Sequence, residues 1–402
     1  MRLSTQSFYS GSLAAMQQQA AALAKLQNQV AIGRKVNSPA DDPIAAVHIL
    51  ELERALSESE QFAKNSTLVQ NRLNLEEQAL ADTGLILTRV RELTLQASNI
   101  GTLGDNDRAS IATELASRLA ELQDIANRQD GHGEHLFAGC STLTKPFNGG
   151  GAAPVSYVGD QGSRLVQIGP TQRVADSHSG FDVFMDIPEG NGTFATAASA
   201  GNTGSGAIDV GTVFDRNSWA PANYRVTFMT PTTWVVTNDA APAPPVAAGT
   251  YTSGSPIEFN GVRVEITGEP AAGDTFAVTE SGAEDIFSTV RDIITVLRQP
   301  AGTPAQNAQL ATVLEGSLQQ VDQANDHLLG VRAEVGARLS TLESADNARE
   351  SLDIDLESAL SDLRDLDYAE ALTKMNQRLV GLQAAQMSYT QISQLSLFNY
   401  LK

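Results

Sequence analysis

Two stretches near the ends of the chain, LAAMQQQAAALAKLQNQV at residues 13–30 and LTKMNQRLVGLQAAQMSY at residues 372–389, carry the same apolar pattern. In each stretch large side chains recur every seven residues, interleaved with a second row at 13, 20 and 27 or at 372, 379 and 386. This spacing is typical of a helix that buries one seam against a partner. The predicted seam positions, continued into the last turns of the chain, are Leu13, Met16, Leu23, Val30, Leu372, Met375, Leu379, Leu382, Tyr389, Ile392, Leu395 and Phe398.

Neither end helix is expected to be stable by itself. Helix nucleation is costly, and a single apolar stripe on an isolated helix remains in contact with water. Burying each large side chain would stabilise a helix by about 1.5–3 kcal/mol. We therefore predict that the end helices form a coiled coil with each other or with further copies of the chain, through the seam residues.

Charge separates the ends from the rest of the chain. The 402 residues include 47 acidic and 27 basic side chains, which gives a formal net charge of −20. Residues 1–40 carry +4 and residues 371–402 carry +3, both without any acid, so the remaining residues carry −27. A charge run often marks only a solvated terminus, but here it coincides with the apolar repeat. The balance argues against nucleic-acid binding and suggests that the ends face inward in an assembly of acidic bodies.

Helical patterns continue inward from both ends. The first helix is predicted to stop after Gly33, and Asp42 followed by Pro43 has the pattern of an N-cap and a first helical residue. A long amphipathic stretch follows, and Asp107 is predicted to open the next helix. Helix is predicted again from Ile286 onward, where apolar residues share one face.

The middle of the chain has a different composition. Residues 187–281 contain no Leu, Lys, Gln or His but include both tryptophans. Runs at 224–228, 234–237 and 262–266 alternate with period two, as half-buried strands do. Earlier alternation at 155–157 and 165–168, around a Gly-containing turn, predicts a hairpin.

These patterns predict a mainly α chain with an inserted β domain, an α+β fold. The predicted divisions are a terminal coiled-coil region at 1–40 and 366–402, a helical body at 41–186 and 282–365 with β-hairpins at about 137–185, and a β-rich outer domain at 187–281.

Candidate catalytic and metal-binding residues are few. His132 and His135 stand three apart, but the glycines around them are unsuited to a helix and no third ligand is evident. Cys140 is the single cysteine, which excludes an intrachain disulfide, and its neighbours do not activate a thiolate. We predict that the chain is not an enzyme and uses no cofactor or metal.

No run of eighteen apolar residues occurs, so no membrane insertion is predicted. The opening MRLSTQ at residues 1–6 also lacks the apolar core of a secretory signal, so we predict that no cleaved signal peptide is present.

Several specific strings carry a family resemblance. GRKVNSPADDPIAA at residues 33–46 resembles the segment after the first helix of bacterial flagellins and their relatives. The opening at 1–6, DGHGEHLFAG at 130–139 and TLTKPF at 142–147 are similar to the hook–filament junction branch of that family, flagellar hook-associated protein 3. The closing LFNYL at 397–401 fits the flagellin-like C-terminal region. The resemblance leaves the β insert unmatched.

The resemblance implies a flagellin-like helical core made by the N- and C-terminal segments, and a structural role at the hook–filament junction outside the cell. It implies export through the flagellar type III channel without a cleaved signal. The implied partners are other copies of the chain in a ring or tier, the other hook-associated protein on the hook side, flagellin on the filament side, and a cytosolic export chaperone.

Two alternatives remain open at this level. The first is a flagellin filament subunit, against which the opening at 1–6 and the string at 130–147 speak. The second is a surface adhesin or an enzyme carried by the β insert. That insert has no His, no Cys and no close acid cluster in sequence, so it offers little support for this alternative.

Overall fold

The computed structural model of the chain describes residues 5–99, 103–151, 153–241 and 244–398, with side chains between residues 10 and 391. Seven helices are found in these ranges. They are α1 Thr5–Ile32, α2 Pro43–Ala97, α3 Asp105–Ala126, α4 Gly180–Phe184, α5 Ile286–Leu297, α6 Pro304–Arg364 and α7 Tyr368–Phe398.

The described chain divides into two compact units. The end unit comprises Met1–Lys64 and Ser344–Lys402, and the central unit comprises Asn65–Glu343. The borders between the units fall inside α2 and α6. The three-part division at 40/41, 186/187, 281/282 and 365/366 stays a prediction about the assembled protein.

Side-chain caps define several helix ends. Asp42 is the predicted N-cap of α2, and its Oδ1 accepts the amide protons of Ile44 and Ala45 at 3.1 and 3.0 Å. Helix α3 begins at Asp105, two residues before the predicted start, and Asp107 instead accepts from the Gly104 amide at 3.2 Å. A break between α6 and α7 was not predicted, because apolar periodicity continues across it.

Fifteen strands lie in the described residues. They are β1 Phe147–Gly150, β2 Ala153–Tyr157, β3 Leu165–Gln167, β4 Arg173–Ala175, β5 Ile187–Pro188, β6 Phe194–Ala198, β7 Ala207–Ile208, β8 Thr212–Val213, β9 Tyr224–Thr230, β10 Thr233–Asn238, β11 Ala247–Thr250, β12 Pro256–Phe259, β13 Val262–Thr267, β14 Thr275–Glu280 and β15 Ala283–Glu284.

The prediction that residues 155–157 and 165–168 pair as one hairpin is wrong. Two separate hairpins occur instead, β1 with β2 and β3 with β4. The intervening loop is held elsewhere, because Asp160 Oδ1 accepts from the amides of Cys140 and Gly162 at 3.0 and 2.7 Å. That carboxylate ties the loop back to residue 140, so the loop does not serve as a two-strand turn.

The β domain consists of two antiparallel layers that share one apolar core. The first layer has the order β11-β10-β9-β14-β6, and the second pairs β12, β13 and β7, with β8 also on β13. Alternate residues of β9 and β13 are buried in the common cluster, as period-two alternation predicts. Between β12 and β13, Asn260 and Gly261 both have positive φ, which a two-residue hairpin turn requires.

The helical core of the central unit lies along the amphipathic stretch that was predicted after Pro43. Leu73, Leu80 and Leu87 stand seven apart on α2 and are fully buried. Helix α3 packs against α5. Beside these helices, the ring centroids of Phe147 and Phe287 lie 5.3 Å apart. The fold is therefore the predicted mainly α chain with an inserted β domain.

The β-domain core provides a test of this packing. Phe228→Ala should lower the free energy of unfolding by about 3–5 kcal/mol, because Phe228 is fully buried and truncation leaves a cavity. The adjacent Met229 is 62% exposed, so Met229→Ala is the matched control and should change little. Urea unfolding followed by tryptophan fluorescence measures both, and equal losses would contradict the assigned orientation of β9.

Candidate assembly surface

The turn that follows α1 is built around one carboxylate. Asp41 Oδ2 accepts from the backbone amides of Asn37 and Ser38 at 3.1 and 3.0 Å, while Oδ1 lies 2.7 Å from Lys25 Nζ. The hydrogen bond from Lys25 and these two amides lower the pKa of Asp41 to about 2. The segment at 33–46 that carries the family resemblance thus forms a closed turn that returns the chain from α1 to α2.

The same turn is tied to the break between α6 and α7. The Lys35 amide donates to the Arg364 carbonyl at 2.7 Å, and the Leu366 amide donates to the Gly33 carbonyl at 3.0 Å. Gly33 has φ +74°, and a Cβ at this position would lie 2.8 Å from the Tyr368 hydroxyl oxygen. Only glycine combines this conformation with this close approach. The crossing brings the end of α1 to the start of α7.

Helices α1 and α7 pack side by side from this crossing. On α1 the shielded positions recur at spacings of three and four: Met16, Gln19, Leu23, Leu26 and Val30. On α7 the corresponding positions are Ala371, Met375, Leu382, Ala385 and Tyr389. One predicted row of each helix, Met16–Leu23–Val30 and Met375–Leu382–Tyr389, is therefore shielded within the pair.

The second row differs from the sequence-based assignment by one residue. The interleaved positions of the pair are Gln19 and Leu26 on α1 and Ala371 and Ala385 on α7, rather than 13, 20, 27 and 372, 379, 386. Arg378 Nη1 donates to Gln19 Oε1 at 3.0 Å between the helices. Small and polar side chains thus occupy part of the intramolecular contact.

The displaced row leaves large apolar side chains on the outside of the pair. Leu13 is 49% exposed, Leu372 42% and Leu379 37%. Val380 and Met387 are exposed as well. We call these five residues the outer row. The remaining predicted contacts, Ile392, Leu395 and Phe398, lie where the side chains are outside the described residues.

A buried ionic cluster in the central unit was not predicted. The fully buried Glu76 on α2 places Oε1 2.7 Å from His178 Nδ1, and Glu334 on α6 places Oε2 3.2 Å from His178 Nε2. Burial lowers the pKa of His178, but the hydrogen bond and charge of Glu76 outweigh it, so the pKa is raised above its usual value. The His178 ring thus links two long helices through the Glu76 and Glu334 carboxylates.

The turn that contained the candidate metal ligands belongs to a neighbouring cluster. Buried Arg72 on α2 lies 3.3 Å from Asp130, 3.0 Å from Glu134 and 3.6 Å from Asp176. The carboxylates of the turn therefore bind a guanidinium, while His135 is buried against the backbone. Across the described ranges, no group of three or more His, Cys, Asp or Glu side chains is arranged to hold a metal ion.

Sequence spacing contained a signal for both clusters. Arg72 and Glu76 stand one helical turn apart, next to the buried row that includes Leu73 and Leu80. Charged residues on the apolar face of a helix are rarely buried without partners. That observation points to buried ion pairs, although it cannot name partners from distant parts of the chain.

None of the helices described between residues 5 and 398 combines the length and the apolar character that a membrane crossing would need. Cys140 is exposed in a loop.

Three families match parts of the chain. The bacterial flagellin N-terminal helical region matches residues 3–142, and the bacterial flagellin C-terminal helical region matches residues 318–401. The D2-like domain of flagellar hook-associated protein 1 matches residues 197–280, the insert that the sequence resemblance left unmatched. The helical ends and the β domain thus both have counterparts among flagellar proteins.

A solved structure of FlgL from Xanthomonas campestris decides the family. It is 37% identical to this chain, has a TM-score of 0.72, and the match covers 77% of this chain and 99% of that one. The chain belongs to the flagellar hook-associated protein 3 (FlgL) family. The flagellar junction protein FlgL of Legionella pneumophila matches at 32% identity and a TM-score of 0.71, covering 79% of this chain and 100% of that one.

FlgL relatives also match along the full chain. Flagellar hook-associated protein 3 of Salmonella typhimurium is 25% identical over 99% of both chains. Flagellins match as well, such as that of Bacillus subtilis at 26% identity over 44% of this chain. The FlgL assignment is favoured over the flagellin alternative, because the solved FlgL structures are 32–37% identical over more than three quarters of the chain, whereas the flagellins are 25–29% identical.

The Asp41 turn makes a pH-dependent prediction. Asp41→Asn should reduce the protection of the Asn37 and Ser38 amides about two- to fivefold, since an exposed ionic contact contributes modestly. A lowered carboxyl pKa stabilises the turn above the usual value of 3.8, and this contribution is lost as the pH falls through about 2. Hydrogen exchange at pH 5 measures the difference. Unchanged protection, or an equal loss in the exposed control Asp355→Asn, would count against the role of Asp41.

The His178 cluster predicts the opposite pH dependence. A raised histidine pKa contributes stability that is complete below its usual value of 6.5 and is lost as the pH rises through the raised value. His178→Gln should remove this dependence and cost about 3–5 kcal/mol, because it leaves the Glu76 carboxylate buried without a cation. Urea unfolding between pH 5.5 and 9 measures both effects. The exposed His48→Gln is the control, and identical profiles for the two variants would refute the assignment.

Proposed function

We propose that this chain is a structural component of the bacterial flagellum, an adaptor that joins the hook to the flagellin filament and performs no catalysis. The observation that carries the proposal is the outer row of the paired end helices in a chain of the FlgL family. A helix pair that has already buried one seam and still exposes a second apolar row is suited to pack against further helices.

The partners follow from the position of such an adaptor. Other copies of the chain would form a ring or tier, with the other hook-associated protein on the hook side and flagellin on the filament side. Contacts between non-identical surfaces of successive copies produce helical or ring assemblies. In this arrangement Leu13, Met16, Leu23, Val30, Leu372, Met375, Leu379, Leu382, Tyr389, Ile392, Leu395 and Phe398 supply the contacts of the common core.

The charge distribution supports an inward position for the end helices. Residues 1–40 and 371–402 contain no acid, whereas the rest of the chain carries −27. Copies packed closely around an axis would repel one another if carboxylates lined it, because charges closer than about 8–10 Å are poorly screened. The outer row lies on α1, which contains no acid, and on α7, in which the single acid Glu370 is in the first turn.

Export follows from the same features. The chain would leave the cell through the flagellar type III channel without a cleaved signal and reach the hook–filament junction outside. Its single cysteine gives no intrachain disulfide that threading would have to break. Before export, the exposed leucines of α7 are a suitable binding surface for a cytosolic chaperone.

The outer row can be tested without disturbing the helix pair. Leu372→Ser combined with Leu379→Ser should leave a folded protein that no longer attaches filaments, because both side chains are partly exposed on α7 and are buried further only on assembly. In a strain that lacks its own copy of the gene, we expect secreted flagellin in the medium and non-motile cells.

The matched control replaces two exposed polar residues of the same helix, Asn376→Ser with Gln377→Ser. This control should restore swimming to the level of the unmodified chain. Immunoblots of the medium show whether each variant is exported. Full motility of the leucine variant would exclude the outer row as an assembly surface.

A further inference from the structure

The β domain is joined to the helices through a short two-stranded ribbon. The chain enters the β domain through β5 and leaves it through β15, and these strands pair Ile187 with Glu284 and Pro188 with Ala283. The Glu189 amide also donates to the Gly282 carbonyl at 3.0 Å. We call residues 187–190 and 282–285 the neck. Any movement of the β domain relative to the helical core must bend this ribbon.

Few hydrogen bonds hold the neck and the β domain on α6. Buried Gln320 accepts from the Gly190 amide at 2.9 Å and donates from Nε2 to the Pro188 carbonyl at 3.2 Å. Nearer the N-terminal end of α6, Thr312 Oγ1 accepts a hydrogen bond from the Ile208 amide at 3.3 Å. One glutamine side chain therefore supplies the described side-chain hydrogen bonds between the neck and α6.

The contact around these hydrogen bonds is incompletely filled. A cavity of about 190 Å³ lies between the neck, strand β6, α5 and α6. Its walls include Glu189, Glu284 and Asp292 together with residues 195–198 of β6. Fewer side chains are packed together at a contact that contains such a cleft, so opening it costs less than opening a filled core.

The acids of the neck crowd around Glu284. Burial, and then the charges of Glu189, Asp292 and Asp285, raise the pKa of Glu284 to about 7. Burial also raises the pKa of Asp292. The positive charge of the neighbouring Arg291 acts in the opposite direction but does not cancel this rise. The charged groups around Glu284 are Glu189 after β5 and Asp285, Arg291 and Asp292 at or on α5. Burial and the charge of Asp209 after β7 raise the pKa of Glu315 on α6, and these two residues are next in sequence to Val210 and Gly316, which line the cavity.

We propose that the neck is a proton-controlled hinge: the β domain is docked on α6 while the carboxylates around Glu284 hold a proton, and the docking loosens when all of them are ionised. The neck lies wholly within the central unit, apart from the end helices. The proposal therefore goes beyond the junction role and does not depend on it.

The direction of the pH effect follows from linkage. A carboxyl whose pKa is raised in the docked state binds its proton more tightly there than in the undocked state. Docking is then strongest below the usual glutamate value of 4.5, weakens as the pH rises to about 7, and is constant above that. An assembly of such chains would gain mobility of its outer domains in neutral surroundings and lose it in acidic ones.

Hydrogen exchange of the full chain tests the hinge. We expect the protection of the amides in 187–192, corrected for the intrinsic exchange rate, to fall by more than about tenfold between pH 5 and pH 8, because each pKa unit of the rise from 4.5 to about 7 corresponds to a factor of ten. Glu284→Gln should keep high protection at both pH values, because the amide cannot ionise. Gln320→Ala should show low protection at both, because it removes the hydrogen bonds that dock the neck.

The matched control is Glu280→Gln, which removes one charge from an exposed position at the end of β14. It should reproduce the pH-dependent fall of the unmodified chain. The proposal is overturned if protection does not fall in the unmodified chain, if Glu284→Gln falls equally, or if the control abolishes the fall.

A second variant covers the case in which Glu284→Gln perturbs the fold, as circular dichroism would show. Asp292→Asn removes one of the neighbouring charges that raise the pKa of Glu284. The fall in protection should then occur at lower pH than in the unmodified chain. A fall at unchanged pH would overturn the role of the acid cluster.

Discussion

The end unit depends on one backbone crossing, where Gly33 at the exit of α1 meets Arg364 to Leu366 at the entrance of α7. Two amide–carbonyl hydrogen bonds and the contact of Tyr368 over Gly33 bring the two end helices to the same point. Helices that are marginal by themselves can then bury their shared stripe along their length. The turn around Asp41 follows this crossing in the chain and leads into α2.

The crossing also determines what the helix pair leaves exposed. Gln19 and Arg378 contact each other between the helices, whereas Leu13, Leu372 and Leu379 remain partly exposed. A two-helix coiled coil that buried both apolar rows between its helices would leave no apolar row exposed for further partners. The pair thus combines a seam that holds the chain together with a row available for assembly, on helices whose terminal residues carry no acid.

The central unit uses charge in a different way. Buried pairs around Arg72 and His178 connect segments that are far apart in sequence, and such pairs are costly to break because a lone buried charge remains. Around Glu284, by contrast, acids face one another with few cations nearby. The first arrangement connects distant segments of the helical core, and the second lies where the β domain is attached.

The apolar rows of α2, the strands of the β insert and the cap at Asp42 could all be predicted from the sequence, because each depends on residues close together in the chain. The pairing of β2 could not be predicted, because Asp160 ties its neighbouring loop to residue 140. The phase of the second end-helix row also escaped prediction, since a helix with two apolar rows does not specify which one its partner covers.

The amino-acid sequence by itself thus determined the element types, the α+β class and the separation of charge between ends and body, since periodicity and composition are local properties. Only the tertiary structure decided which leucines are exposed, which cation the Asp130 turn binds, and that Glu76 meets His178 across 102 residues. These outcomes depend on which distant surfaces come into contact, and no repeat along the chain contains that information.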